Sequence, residues 1–377
     1  MQTIDGSQLE GGGQILRVAT TLSTVLSIPI NIHSIRSGRS KPGLAAQHLS
    51  GICLAKQISE AEVQGAEIGS TELTFIPKDC QLKTKYFEDC GTAGSVTLMA
   101  QTALPCIALW QTARRSTDPS SIILELWGGT NVSHSPPIDH LEHVLLPLLR
   151  STGIHASIQV MRRGYYPRGG GRVSLTVRSI ATHLSPFNLT IQGSVISAHA
   201  VVYGNAPIQT KQLVENQLQE AFMAFPLITI GGSSLDTINV SVPSEFTDGH
   251  QSNSRQEKSV TAGVQAWVLT STGCILSANR EVSQKVITDK SVTDMVQQVF
   301  TDLRFLCASG ACVDEHTADQ LVIYMTHCRG VSRMLVPCAV SSLHLVTAIK
   351  IASDLTGARF ETECMGDNQL ITCYGMA

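Results

Sequence analysis

The chain is short of charge and of aromatic side chains. Of its 377 residues, 15% are Asp, Glu, Lys or Arg and 5% are Phe, Trp or Tyr. Low charge beside 43% hydrophobic residues excludes a disordered chain and supplies ample mass for a core. The formal charge of −3 excludes a general nucleic-acid coat, which needs a strong positive excess. It leaves room for a protein that grips a few phosphates at one chain end. No run of apolar residues reaches the length of a membrane span, so no membrane partner is expected. The opening MQTIDGSQLEGGG has no basic stretch leading into an apolar run, which argues against a secretory leader. The eleven cysteines include no CxxC pair. They read as small buried hydrophobes in a reducing, intracellular compartment, cytoplasmic or nuclear, and a zinc site is disfavoured. Also missing are GxxxxGK[ST], HExxH and GxSxG, which excludes a Walker loop and zincin chemistry.

Glycine is plentiful, at 30 residues, and favours tight turns and close packing. The length predicts roughly two domains. Ile15, Val18, Ala19, Leu22 and Leu26 recur at helical spacing. Further helices are expected over 44–57, 94–104, 138–152, 209–222, 291–306, 319–329 and 342–355. Strands are expected at 73–76, 121–127, 155–161, 172–178, 189–203, 237–242, 264–270, 274–278, 331–336, 358–364 and 369–374. Thr272–Gly273 turns one pair into a hairpin. The texture changes near 187 and reverts near 312. The reading is an α+β protein with an inserted α/β domain at 187–311, the larger domain being 1–186 and 312–377. The polar stretch 244–260 reads as a surface loop. Small-residue clusters open helices at Gly11–Arg17, Gly91–Gln101 and Ser341–Thr347, a hint of internal repetition.

Five polar segments carry candidate chemistry. Glu10–Arg17 (EGGGQILR) starts a helix whose amides can bind an anion, or which is simply capped and packed. Ile35–Gly43 (IRSGRSKPG) sets three cations in a turn, suited to phosphate or merely solvated. Arg162–Arg172 (RRGYYPRGGGR) interleaves arginines with tyrosines, either a nucleic-acid grip or a basic hairpin edge. Gly128–Asn131 leads through Ser135–Asp139 into a helix, with His134, His140 and His143 nearby. Two histidines three apart can chelate a metal, but no third ligand is fixed. In Ser341–Thr347 (SSLHLVT), His344 sits by a helix start, where the dipole keeps imidazole neutral and nucleophilic. A core histidine bonded to a carbonyl would look the same.

Together these segments resemble the RNA 3′-terminal phosphate cyclase family. The matching blocks are DGSQLEGGGQILR at 5–17, IRSGRSKPGLAAQHL at 35–49, GAEIGSTELTFIP at 65–77, GTAGSVTLMAQTALP at 91–105, GGTN and PPID within 128–139, RRGYYPRGGGRV at 162–173, DEHTADQL at 314–321 and SSLHLVTAI at 341–349. They fall in the family's order outside 187–311. The resemblance implies a large domain of three βαβαββ-like repeats with a smaller inserted α/β domain. It implies a ligase-class enzyme that uses ATP to convert an RNA 3′-phosphate to a 2′,3′-cyclic phosphodiester. Covalent histidine–AMP and RNA-adenylate intermediates follow from it. By position, His344 matches the nucleophile. Gln101, Pro136, His316, Asp319 and Gln320 match nucleotide contacts. Arg17, Arg36, Arg39 and Gln47 match the phosphate path, and Glu10 matches a metal-associated glutamate serving Mg²⁺ or Mn²⁺. The family usually has tyrosine at the position of His316. The alternatives are the family's non-catalytic branch in ribosomal RNA processing, which lacks the histidine, and a module that binds RNA 3′ ends without turnover.

Overall fold

In a computed structural model, residues 1–115, 119–178, 183–225, 237–241, 259–340 and 342–376 are described. The fold is α+β, with four four-stranded sheets. Most of the expected loop at 244–260, and Ser341, lie outside the described residues.

The first unit runs β1 (Gln2–Asp5), α1 (Gly13–Leu26), β2 (Ile30–His33), α2 (Ala46–Ser59), β3 (Glu62–Gln64) and β4 (Leu73–Ile76). The second runs β5 (Lys85–Asp89), α3 (Val96–Arg114), β6 (Ser121–Gly128), α4 (Ile138–His140), a π turn (Leu141–Leu145), α5 (Leu146–Ser151), β7 (Ala156–Arg162) and β8 (Gly171–Arg178). Their sheets are ordered β1-β2-β4-β3 and β5-β6-β8-β7. In each, the first two strands pair in parallel and the remaining pairs are antiparallel.

The chain then enters β9 (Asn188–Leu189), β10 (Val195–Tyr203), α6 (Ile208–Met223), β11 (Thr237–Ser241), β12 (Val260–Thr270), β13 (Ile275–Gln284) and α7 (Asp289–Ser309). It ends with α8 (Glu315–Met325), β14 (Val331–Pro337), α9 (Leu343–Thr356), β15 (Arg359–Met365) and β16 (Asn368–Tyr374). The last sheet, β15-β16-β14-β9, has the same strand order as the first two when read from β9. Thus β9, which begins just past the change of texture at 187, pairs with β14 rather than with the β11-β10-β12-β13 sheet.

Three helices expected from periodicity differ from the observed ones. The helix expected to stop at 104 continues to Arg114 with Pro105 inside it. The single helix expected over 138–152 contains a π turn. The one expected over 319–329 runs Glu315–Met325, where the Asp314 cap starts it four residues earlier. Burial explains the first difference: α3 is apolar on nearly every face and is held by its neighbours, which override one proline. It packs on α1, α2 and α8, and α1 packs on α9.

The three similar sheets and their helices share one core. The sheet of β10–β13 has its own core with α6 and α7, built on Val214, Phe222, Val264, Val268, Val299 and Phe300. The two cores meet where Val144 and Leu148 touch Ile275. Trp267 fills this joint, stacked between His143 at 4.5 Å and His199 at 5.3 Å. All eleven cysteines are free. Six are buried as expected, but Cys338 and Cys364 are exposed on the surface.

Candidate active site

The site gathers at the starts of α9 and α1. Ser342 caps α9, its hydroxyl accepting from the Leu345 amide at 3.4 Å. His344 is the second residue of this helix and is exposed. Partial desolvation lowers its pKa below the usual 6.5; Glu10 opposes this, and Arg17 and Arg39 reinforce it. The ring is therefore neutral at pH 7, as a nucleophile must be. Thr347, one turn on, donates to the Leu343 carbonyl at 2.6 Å and accepts from the Glu10 amide at 3.2 Å. The second of these bonds ties α9 to the glycine turn that precedes α1.

Two side chains close over Gly13. A Cβ there would lie 2.7 Å from His48 Nε2 and 2.8 Å from an Arg17 guanidinium nitrogen. Both donors thus converge on the bare backbone at the α1 start. Arg17 is aimed by Gln14, which accepts from it at 2.7 Å, and its Nε is buried without a partner. His48 was not among the residues picked from the sequence. Its Nδ1 accepts from the Ala45 amide at 3.1 Å, which leaves the proton on Nε2. Burial, with Arg17 and Arg36, pushes its pKa down to about 3, so it is a fixed neutral donor. Its adjacency to Gln47 in a basic segment was the one available signal. Gln47 stands in the first turn of α2, against Gly94 in the loop before α3.

The two loop arginines are engaged within the protein. Arg36, at a left-handed φ of 52°, donates to the Gly43 carbonyl at 2.7 Å and braces its loop. Arg39 pairs with Glu10 Oε1 at 2.6 Å and with its carbonyl at 2.9 Å. Glu10 Oε2 is buried and has no partner. No group of three metal-ligating side chains exists among the described residues. A cage built wholly of protein ligands is therefore not what these residues offer. One spare carboxylate oxygen beside Arg17 and Arg39 would suit a divalent ion held mainly by groups other than protein side chains.

Behind this mouth a narrow crevice opens between α1, α3, α8 and the π turn. Gln14, Arg17, Gln101, Leu104, Asp319, Gln320 and Tyr324 line it. Burial raises the Asp319 carboxyl to about 7, although Arg17 pulls it the other way. The Gln320 amide donates to the His316 carbonyl. His316 meets His140 edge to face, with ring centroids 5.9 Å apart. Burial, then His140, lower its pKa to about 4, so it too is neutral. A buried polar network fixes this corner. Asp314 accepts from the Thr317 amide at 2.8 Å and from the Ser277 hydroxyl at 2.7 Å, which joins β13 to α8. His140 Nε2 lies 3.6 Å from the same carboxylate. Burial alone would raise the Asp314 pKa, but the bonds from His140 and Ser277 hold it at about 2. Nothing in the linear sequence joins residues 140, 277 and 314.

Other expected residues are placed differently. Pro136 does not line the crevice; its carbonyl accepts from Thr97 at 2.7 Å, one turn before Gln101 on α3. In the basic segment Arg162–Arg172, Arg163 and Tyr165 are engaged internally, whereas Arg162, Arg168, Arg172 and Tyr166 are exposed. Arg163 makes a bidentate pair with buried Asp139 at 2.6 and 2.7 Å and also reaches Asn131. Arg172 lies 4.0 Å over the Trp127 ring. The Tyr165 hydroxyl accepts from the Gly204 amide at 2.9 Å. Composition shows a cation but not whether it faces inward. The histidines near 140 do not form a metal site, since His140 serves Asp314 and His143 stacks on Trp267.

Comparison with known proteins finds similar chains. A family model described as RNA 3′-terminal phosphate cyclase matches residues 8–362. A "Probable RNA 3′-terminal phosphate cyclase" of Dictyostelium discoideum is 33% identical, covering 99% of this chain and 82% of its own. The RNA 3′-terminal phosphate cyclase of Caldivirga maquilingensis is 32% identical over 96% of this chain and 94% of its own. That of Drosophila melanogaster is 32% identical over 100% and 97%. No helix among the described residues is long and apolar enough to cross a membrane.

Proposed function

We propose that this chain, which belongs to the RNA 3′-terminal phosphate cyclase family, uses ATP to close an RNA 3′-phosphate into a 2′,3′-cyclic phosphodiester. The observation that carries this reading is His344, exposed, neutral and set at a helix start among Glu10, Arg17 and Arg39. An imidazole nitrogen attacks the α-phosphorus of ATP. The N–P bond forms as the bond to pyrophosphate breaks. An oxygen of the RNA 3′-phosphate then attacks the same phosphorus, and the N–P electron pair returns to the imidazole. Finally the terminal 2′-hydroxyl loses its proton, attacks the RNA phosphorus and expels AMP. A phosphate monoester dianion repels nucleophiles and lacks a good leaving group; the AMP cap removes both obstacles, and the histidine divides one hard step into easier ones.

Each group has a place in this scheme. Arg17, the His48 Nε2–H and the bare backbone at Gly13 receive phosphoryl oxygens. Arg39 joins them by exchanging Glu10 for phosphate, with Arg36 and Gln47 shaping the loop side. Gln101, Asp319 and Gln320 hold the nucleoside at the crevice, with His316 beside them at the start of α8, and Pro136 stiffens the loop packed on α3. Glu10 Oε2 and the phosphates of ATP would hold a divalent ion, Mg²⁺ or Mn²⁺, which when bound neutralises phosphate charge. The helix dipole of α9 keeps His344 unprotonated before attack.

Incubation with α-labelled ATP tests the reading. The protein should acquire a covalent label that is labile in acid and stable in alkali, as a phosphoramidate is, and His344→Ala should remove it. A protein that binds RNA 3′-phosphate ends but never takes the label is not this enzyme. A label that survives His344→Ala places the nucleophile elsewhere.

A further inference from the structure

The second step constrains where the RNA lies. The acceptor phosphate must approach the AMP phosphorus opposite the N–P bond, where pyrophosphate left. In the scheme above, Arg17, His48 and Gly13, which lie together, bound that side inward. The nucleoside attached to the acceptor phosphate must therefore extend outward across the rim. Three apolar side chains are exposed on this rim. Leu9, Leu343 and Val346 are exposed by 46%, 58% and 42%. Leu343 and Val346 lie three apart on one face of α9 and bracket His344. Leu9 is held in left-handed backbone, with φ of 51°, a conformation that costs a non-glycine residue energy and persists only where the surroundings impose it. What imposes it is the next residue: the Glu10 amide is bonded to Thr347 Oγ1, which in turn reaches the Leu343 carbonyl. That contact ties the residue after Leu9 to α9, within one turn of Leu343 and Val346. Exposed Arg39 and Lys41 stand on the loop beyond Glu10, the right charge for the next phosphate along the strand.

We propose that Leu9, Leu343 and Val346 form the seat of the RNA's 3′-terminal nucleoside, pressing on the face of its base during AMP transfer. The inference rests on the histidine–AMP reading above. Apolar contact reads no hydrogen-bond pattern, so the seat accepts all four bases alike. It also acts only after adenylylation, because ATP occupies the crevice and not the rim.

The test uses the full chain and separates the two half-reactions. In Leu343→Ala/Val346→Ala, both sites are exposed and alanine suits a helix, so the fold is kept. Self-labelling by α-labelled ATP should match wild type within about twofold. Transfer of AMP from the isolated adduct to an RNA oligonucleotide 3′-phosphate should slow by about five- to tenfold at limiting RNA, through KM rather than the saturated rate. Wild type given an oligonucleotide ending in an abasic ribose 3′-phosphate should slow by a similar factor, and the double variant should be no slower on that substrate than wild type. Equal transfer by both proteins on normal RNA overturns the seat. So do multiplicative losses from the variant and the abasic end, or an equal fall in labelling and transfer. A wild-type protein that never self-labels overturns the histidine–AMP reading instead, and the seat with it.

Discussion

Asp319 is the clearest case of a site residue that works against the stability of its own fold. Its carboxyl titrates near 7 in the folded chain, chiefly because burial disfavours the charged form. In the unfolded chain it titrates near its ordinary value of 3.8. The fold therefore binds this proton more tightly than the unfolded chain does. The stability that goes with it is full below about pH 3.8 and drains as pH rises through about 7. At about 1.4 kcal/mol per pH unit, the span from 3.8 to 7 sets a ceiling of about 4 kcal/mol. Asp319→Asn removes the titration and keeps the shape. The variant and wild type should melt alike in urea at pH 4, and the variant should be the more stable by about 2–4 kcal/mol at pH 8. The same variant should bind ATP more weakly. A stability gap that is constant from pH 4 to 8 would refute the reasoning, because only a pH-dependent gap reports a raised carboxyl.

Three further outcomes follow from the geometry. The acid limb of self-adenylylation should have its midpoint below pH 6.5, because desolvation with Arg17 and Arg39 lowers the His344 pKa; a midpoint above 6.5 in single-turnover labelling contradicts this. Arg163→Ala leaves buried Asp139 without its bidentate partner and should cost about 3–5 kcal/mol in a denaturant melt, and a loss under 1 kcal/mol would mean that water replaces the guanidinium. His316→Tyr should tighten ATP by about 0.5–1.5 kcal/mol through a larger face over the nucleotide, whereas a slower saturated adenylylation rate would show that tyrosine clashes with His140.

Much of the site was legible because its residues sit at helix starts. The small-residue clusters before Gly13, Val96 and Leu343 each mark an observed helix start, since a backbone that turns tightly into a helix needs glycine or a capping hydroxyl. What periodicity could not show is what happens between distant residues. Pro105 reads as a stop, yet α3 runs through it on the strength of burial. The apolar spacing of Leu141, Val144, Leu145 and Leu148 fits an unbroken helix and conceals the π turn. Arg163 and Arg39 looked alike as cations in glycine-rich segments. One is buried against Asp139 and the other remains half-exposed over Glu10, and only the fold separates them.

The crevice has a structural origin in the three similar sheets. In each unit, a helix joins the first strand to the second: α1, α3 and, after the intervening β10–α7 segment, α8. These three helices converge on the crevice, with α3 packed against both of the others. Arg17 is the fifth residue of α1 (Gly13–Leu26), Gln101 the sixth of α3 (Val96–Arg114) and Asp319 the fifth of α8 (Glu315–Met325). One cation, one amide and one carboxyl thus occupy nearly equivalent places in three copies of one topology. Pro105 adds to the difference, because it lacks the amide that would bond the Gln101 carbonyl four residues earlier. A site assembled this way is coupled through packing as well as charge. Arg17→Gln and Asp319→Asn should therefore be non-additive for ATP binding, since each change alters the partner that sets the other's charge. Additive losses would mean that the two groups meet the nucleotide independently.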